Sequence, residues 1–235
     1  WPPAQRLRAA VANLPAEFEA VLVDTDLLAA CVLTKMALAT VDSVVVPLSF
    51  DDGDFNRLFQ DVTGNALFTD VMIPMKAKNM LRARVAKCVF TKVSSNKNEE
   101  TKTTGGIHSP FCPSKTVMSQ MDCMAKQVWS ACMHDDRYRE LFADVESIAP
   151  GADGNVVQAF RSRYFTAMKL APDLAANISK MNGLPICVMT SQKYTAPSGL
   201  EGQSGAAVLN GLKAEIQKLV NAFTSDEYNL PLSAS

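Results

Sequence analysis

One carboxylate in this chain stands where a carboxylate does chemistry in α/β proteins. Asp24 closes the apolar run Ala20-Val21-Leu22-Val23, and Asp42 opens a second run, Val44-Val45-Val46. An unbroken apolar run ending in Asp is the pattern of a strand buried on both faces, as in a parallel sheet. The residue that closes such a strand lies where open α/β sheets bind ligands. A carboxylate there orients a hydrated Mg2+ against nucleotide phosphates. The same pattern also serves turn chemistry, because Asp hydrogen-bonds its own backbone two residues on.

Other constellations are weaker. His108, Cys112, Cys123, Cys132 and His134 are possible zinc ligands by type, but their spacings of four, eleven, nine and two contain no tight Cys pair of the structural-zinc kind. No G-x-S-x-G occurs, and both histidines sit in polar surroundings, against a Ser/His/Asp hydrolase. Ser114-Lys115-Thr116 after Gly105-Gly106 imitates a phosphate loop, yet Ser114 replaces its last Gly, and Pro110 and Pro113 remove the amides such a loop uses. Ser114 reads instead as a helix N-cap.

The elements that must position these residues alternate. Leu7, Ala10, Val11 and Leu14 give a short amphipathic helix before Pro15. Phe18–Asp24 reads as a strand, 27–39 as a nearly buried helix and Asp42–Leu48 as the next strand, a βαβ unit. Further on, Asp54–Gly64 is helical by spacing and Arg84–Lys92 is a strand. Residues 94–113 form an exposed loop, beginning with 94–106, which hold no large apolar side chain. Ser114–Met133 and Arg137–Val145 are helical, 149–155 is a turn, and Asp173–Met181 is a helix stopped at Asn182-Gly183. Leu184–Met189 reads as a strand and Ser204–Phe223 as a terminal amphipathic helix. The expected fold is α/β, a mostly parallel, doubly wound sheet flanked by helices. The expected organisation is an N-terminal helix over 1–17, one domain over 18–224 and a tail over 225–235.

At 235 residues with 48% apolar side chains the chain can build a core, which excludes collagen, a disulfide miniprotein and a wholly disordered chain. Lys and Arg number 23 against 24 Asp and Glu, so no whole-molecule field draws in nucleic acid or an acidic membrane. Charge is uneven, however. Lys76, Lys78, Arg82, Arg84, Lys87, Lys92, Lys97 and Lys102 face only Glu99 and Glu100, a local +6. That stretch is either a solvated face or a nonspecific DNA-binding patch. Six scattered cysteines with no Cys-x-x-Cys suit free thiols in a reducing compartment. No apolar stretch reaches the ~20 residues of a spanning helix. The expectation is a soluble cytoplasmic protein, an organelle not being excluded.

The stretch 24–48, DTDLLAACVLTKMALATVDSVVVPL, resembles the Walker B region of the ParA/MinD group of P-loop ATPases. Asp24-Thr25, Leu33-Thr34, Ala37-Leu38 and Asp42-Ser43-Val44-Val45-Val46-Pro47 stand in the order of that family's D-T-P-P, L-T-x-x-A-L and A-D-x-V-(apolar)2-P. Looser similarity runs through Val85–Val93, Ile178–Ile186 (ISKMNGLPI) and Ser204–Val220, with Ala214-Glu215-Ile216 matching an A-E-I in the terminal helix. Asp26-Leu27 replace Pro-Pro, Ala29-Ala30 fall where a Gly is usual, and one extra residue lies between Asp24 and Thr34. No G-x-x-x-x-G-K-[ST] occurs in these residues; in the family that loop precedes Walker B, which places it upstream of Trp1.

The resemblance implies an N-terminally incomplete P-loop fold and an ATP- and Mg2+-dependent homodimer whose slow hydrolysis resets a partitioning or positioning cycle for DNA or other cargo, stimulated by an unidentified protein partner. It implies Asp24 as the catalytic carboxylate on Mg2+-bound water, with Thr25 beside it at the switch. Thr91 and Lys92, and Met168, Lys169 and Leu170, become candidates for the wall around adenine. Without the loop Lys and its amide cradle, these residues alone are expected not to hydrolyse ATP. The tail SDEYNLPLSAS is unlike the basic membrane-targeting helix of the MinD branch. Two rival readings are a non-catalytic α/β protein-interaction module derived from such an ATPase, which the changes at Asp26 and Ala30 favour, and an unrelated Rossmann-like enzyme.

Overall fold

The computed structural model describes residues 1–15, 17–18, 20–25, 31–49, 52–60, 64–93, 113–148, 155–169, 173–195, 199 and 201–224. The β-branched runs at 43–48 and 84–93 become neighbouring strands. β1 (Ser43–Leu48), β2 (Arg84–Val93) and β3 (Phe165–Lys169) form a parallel sheet in the order β1-β2-β3. The Arg84 amide donates to the Asp42 carbonyl at 3.1 Å, so β1 and β2 start at the same end of the sheet.

Central β2 is buried on both faces, with Val85, Ala86, Lys87, Cys88, Val89 and Phe90 all inaccessible. That is why its sequence shows no alternation. β1 is covered on one face only: Val46 and Leu48 are buried, whereas Val45 is 43% exposed.

Parallel neighbours need long crossovers, and helices fill both. Between β1 and β2 lie α3 (Asp52–Asn56), a π-helical turn (Leu67–Met72) and α4 (Ile73–Ala77). The Asp70 carboxylate accepts from the Ala66 amide at 2.9 Å and closes the start of the π-turn. Between β2 and β3 come α5 (Lys115–His134), α6 (Asp136–Arg139), a 3-10 turn (Val145–Ser147) and α7 (Val156–Tyr164). Ser114 caps α5 as its sequence position predicts, its Oγ accepting from the Val117 amide at 3.3 Å. Asn155 does the same for α7 through the Gln158 amide, and α7 passes into β3 without a loop. Ahead of the sheet, α1 (Pro2–Ala12) packs on α2 (Val32–Leu38), with Thr40 donating to the Met36 carbonyl at 2.8 Å and Arg8 to that of Ala39 at 2.8 Å.

The chain divides into two compact units, 1–89 with 120–166, and 90–119 with 167–235. The first has an aromatic core. Phe142 meets Phe68, Phe160 and Tyr164 at centroid distances of 5.7, 5.7 and 5.1 Å, mostly edge to face. In the second, α8 (Asp173–Asn182), a 3-10 turn (Ile186–Val188), the hairpin of β4 (Lys193–Thr195) and β5 (Glu201–Gln203), and α9 (Ala206–Thr224) enclose Ala175, Ile178, Met189, Tyr194, Leu209 and Leu212.

Several sequence expectations change. Phe18–Asp24 is not a strand: Ala20–Thr25 form no backbone hydrogen bond to a described residue, and Leu22 is 95% exposed. A buried-strand pattern needs a neighbour to pair with, and among the described residues β1 pairs only with β2. The parallel pair therefore forms one step later in the chain than the βαβ reading placed it. The strand expected over Leu184–Met189 is not formed: the segment holds the 3-10 turn Ile186–Val188, with Val188 60% exposed and Pro185, which has no amide to give a ladder, at its N-cap. The helix expected over Arg137–Val145 stops after Arg139, and Asp144 takes a left-handed φ of 55°. Of the helix expected over 27–39, α2 covers Val32–Leu38, and residues 27–30 lie outside the described residues. The expected loop 94–113 lies outside the described residues except Pro113, and the tail 225–235 lies wholly outside.

Candidate functional site

The carboxyl ends of β2 and β3 lie side by side, because the two strands are parallel neighbours. On β2, Phe90 and Val93 are buried and Thr91 is half-buried; on β3, Phe165 and Ala167 are buried and Met168 is half-buried. Thr91 and Lys92 thus share one sheet edge with Met168 and Lys169, and all four belong to the second unit. Leu170 lies outside the described residues. At these strand ends Thr91 carries a hydroxyl, able to donate and accept, and Met168 a polarizable thioether.

Asp24 and Thr25 are placed differently. Both are exposed in the first unit, on no strand and with no partner among the described residues. The tip of a buried strand, which their sequence context predicts, is not formed. No group of three or more metal-ligating side chains occurs around Asp24 or elsewhere among the described residues. Mg2+ held through one carboxylate draws its other ligands from substrate phosphates and water, and the sequence supplies no phosphate loop. Among the described residues, therefore, no cluster of protein ligands for Mg2+ is formed.

Lys87 was counted in sequence with the basic stretch, yet it is buried in the middle of β2 and 6% exposed. Its Nζ donates to the backbone carbonyls of Arg163 and, at 3.4 Å, Ser162. These carbonyls end α7, where a cation complements the helix dipole. Arg161 pairs with Asp122 of α5 at 3.1 Å and Arg163 with Asp144 at 3.3 Å. Together these contacts fix the end of α7, and hence the start of β3, against β2. A lone Lys inside VAKCVF was the available signal.

The basic stretch is correspondingly reduced as a surface. Lys76 pairs with Glu140 at 3.5 Å and Arg82 with Asp42 at 2.5 Å. Lys78 and Arg84 stay exposed without an ion pair to a described residue, while Lys97 and Lys102 lie outside the described residues.

The possible zinc ligands do not converge among the described residues. Cys132 is buried, which pushes its thiol up to about 12, and His134 Nδ1 is bound to the Ser130 carbonyl at 2.7 Å. His108 and Cys112 lie outside the described residues. A shallow notch of about 190 Å3 in the first unit is lined by Asn56, Phe59, Gln60, Gln127 and Ala131. Its carboxamides carry no charge to meet a phosphate.

Comparison with protein-family models, with curated proteins and with solved structures finds no match to this chain.

Proposed function

We propose that the chain is the carboxyl-terminal part of a ParA-like nucleotide switch, whose complete form binds ATP and Mg2+, dimerises around them, and partitions or positions DNA or another cargo. The observation that carries this reading is the ordered run from Asp24-Thr25 through Leu33-Thr34 and Ala37-Leu38 to Asp42–Pro47. The parallel arrangement of β1 and β2 supports it, since the run's last segment and the next expected strand are neighbours. So does the shared edge of Thr91, Lys92, Met168 and Lys169, the positions assigned to the adenine wall. In this reading Asp24 orients the Mg2+-bound water and Thr25 sits at the switch. Neither acts until a phosphate-binding loop from outside these residues is in place.

The experiment is nucleotide binding by the 235 residues alone. No saturable, Mg2+-dependent binding of ATP is expected in the micromolar range, because the amide cradle and its Lys supply most of the phosphate contacts. Tight binding here would show that the phosphate site lies elsewhere.

A specific observation favours a second reading, a non-catalytic α/β interaction module. Asp24 stands on an exposed segment without a backbone partner among the described residues, and belongs to no described group of three or more ligating side chains. An upstream coding sequence without a K-G-G-x-G-K-[ST] segment would select this reading over the first.

A further inference from the structure

Two unsatisfied features of the first unit are complementary. Ala20–Asp24 belongs to no helix or strand and opens with four apolar residues, with Val21, Leu22 and Val23 exposed by 42%, 95% and 39%, and its backbone makes no hydrogen bond to a described residue. β1, also in this unit, has β2 on one edge and no described strand on the other. The Arg84 amide bonds the Asp42 carbonyl, so by the two-residue period of a strand the polar groups of Val44, Val46 and Leu48 also turn toward β2. Those of Ser43 and Val45 turn toward the open edge. Pro47 shares their side of the period, where it has no amide to offer, as is usual for Pro in edge strands.

An open edge of this kind is a template for strand addition. We propose that a second copy of this chain lays its Ala20–Asp24 segment along the amino-terminal half of β1, and receives the first copy's segment in return. Each chain carries one segment and one strand edge that lack a pairing neighbour among the described residues, so a two-fold exchange satisfies both and leaves nothing to propagate. The side-chain pattern fits. Val21 and Val23 share a face and continue the row of half-buried Val44 and buried Val46, while Leu22 falls on the face of Val45. Pro47 limits the added strand to the positions of Ser43–Val46, matching the four apolar residues available. This dimer needs no nucleotide, which separates it from the dimer of the proposed switch.

The test is sedimentation of the nucleotide-free chain across a concentration series, with hydrogen exchange at residues 20–24. A dimer with a dissociation constant on the order of micromolar is expected, with the amides of 21–23 protected only in the dimer. Val21→Asp with Val23→Asp places two carboxylates in the row of Val44 and Val46 and should weaken dimerisation at least ~100-fold. Val45→Pro removes an outward donor while sparing the ladder to β2, and should weaken it by ~10-fold or more. Both variants should keep the far-ultraviolet spectrum of the parent. A parent that stays monomeric to about 100 times that concentration overturns the proposal. So do a dimer unaffected by both changes, and protection of 21–23 within a monomer, which would place the segment on its own chain's edge.

Discussion

The ammonium of Lys87, in the middle of the buried strand β2, donates to the carbonyl of Arg163 at the end of α7. A charge in that position is retained by satisfaction: two carbonyl acceptors at a helix end replace the water that burial removes. Because α7 enters β3 at once, the same contact aligns β3 with β2.

Removing the ammonium tests this directly. Lys87→Met keeps the stem but leaves the α7 carbonyls unsatisfied, and should lower unfolding stability by about 1.5–3 kcal/mol, the range for hydrogen bonds to charged groups. Lys87→Ala should cost more, since a cavity is added. Urea midpoints measure both; an unchanged midpoint for Lys87→Met would show that the contact contributes nothing.

Thiol chemistry should divide the cysteines by burial. Desolvation pushes both Cys88 and Cys132 up to about 12 from 9.0, while Cys123 and Cys187 are exposed. At pH 8 a thiol at that value is ionised in roughly one molecule in 10^4, and the thiolate is the reacting form. Under native conditions an alkylating reagent should label Cys123 and Cys187 first, and Cys88 and Cys132 only on unfolding. Peptide mass mapping of a time course reads the order.

Asp135 supplies a pH-dependent increment at the start of α6. Its side chain accepts from the Arg137 guanidinium at 2.7 Å and from the Arg137 amide at 2.9 Å, and these bonds hold its carboxyl below the ordinary 3.8. A depressed folded-state value means the unfolded chain takes up the proton first. The increment is therefore complete above about pH 4 and lost as pH falls through the folded value. The melting temperature of the parent should exceed that of Asp135→Asn at pH 7, and the difference should shrink toward pH 2.

How much was legible follows from what each element needs. β1, β2, α5, α8 and α9 carry their own signal, a β-branched run or a 3.6-residue apolar period, and their bounds were readable to within a few residues. β3 was not, because Phe165–Lys169 is short and follows Tyr164 with no turn residues to mark it. Phe18–Asp24 has the composition of a buried strand but no described neighbour to pair with, and pairing is not encoded in the segment itself. At the candidate site, Thr91, Lys92, Met168 and Lys169 fall on adjacent strand ends. Lys87 was misfiled as surface charge because charge counting ignores which face a strand residue occupies.

The central claim is that Asp24 belongs to a nucleotide switch, and ATP turnover by the chain extended through its upstream coding sequence tests it most directly. The account predicts slow Mg2+-dependent hydrolysis that Asp24→Asn lowers at least ~100-fold, the scale of losing one transition-state electrostatic contact. Equal turnover by the parent and Asp24→Asn, or an extended chain that neither binds nor hydrolyses ATP, would contradict it.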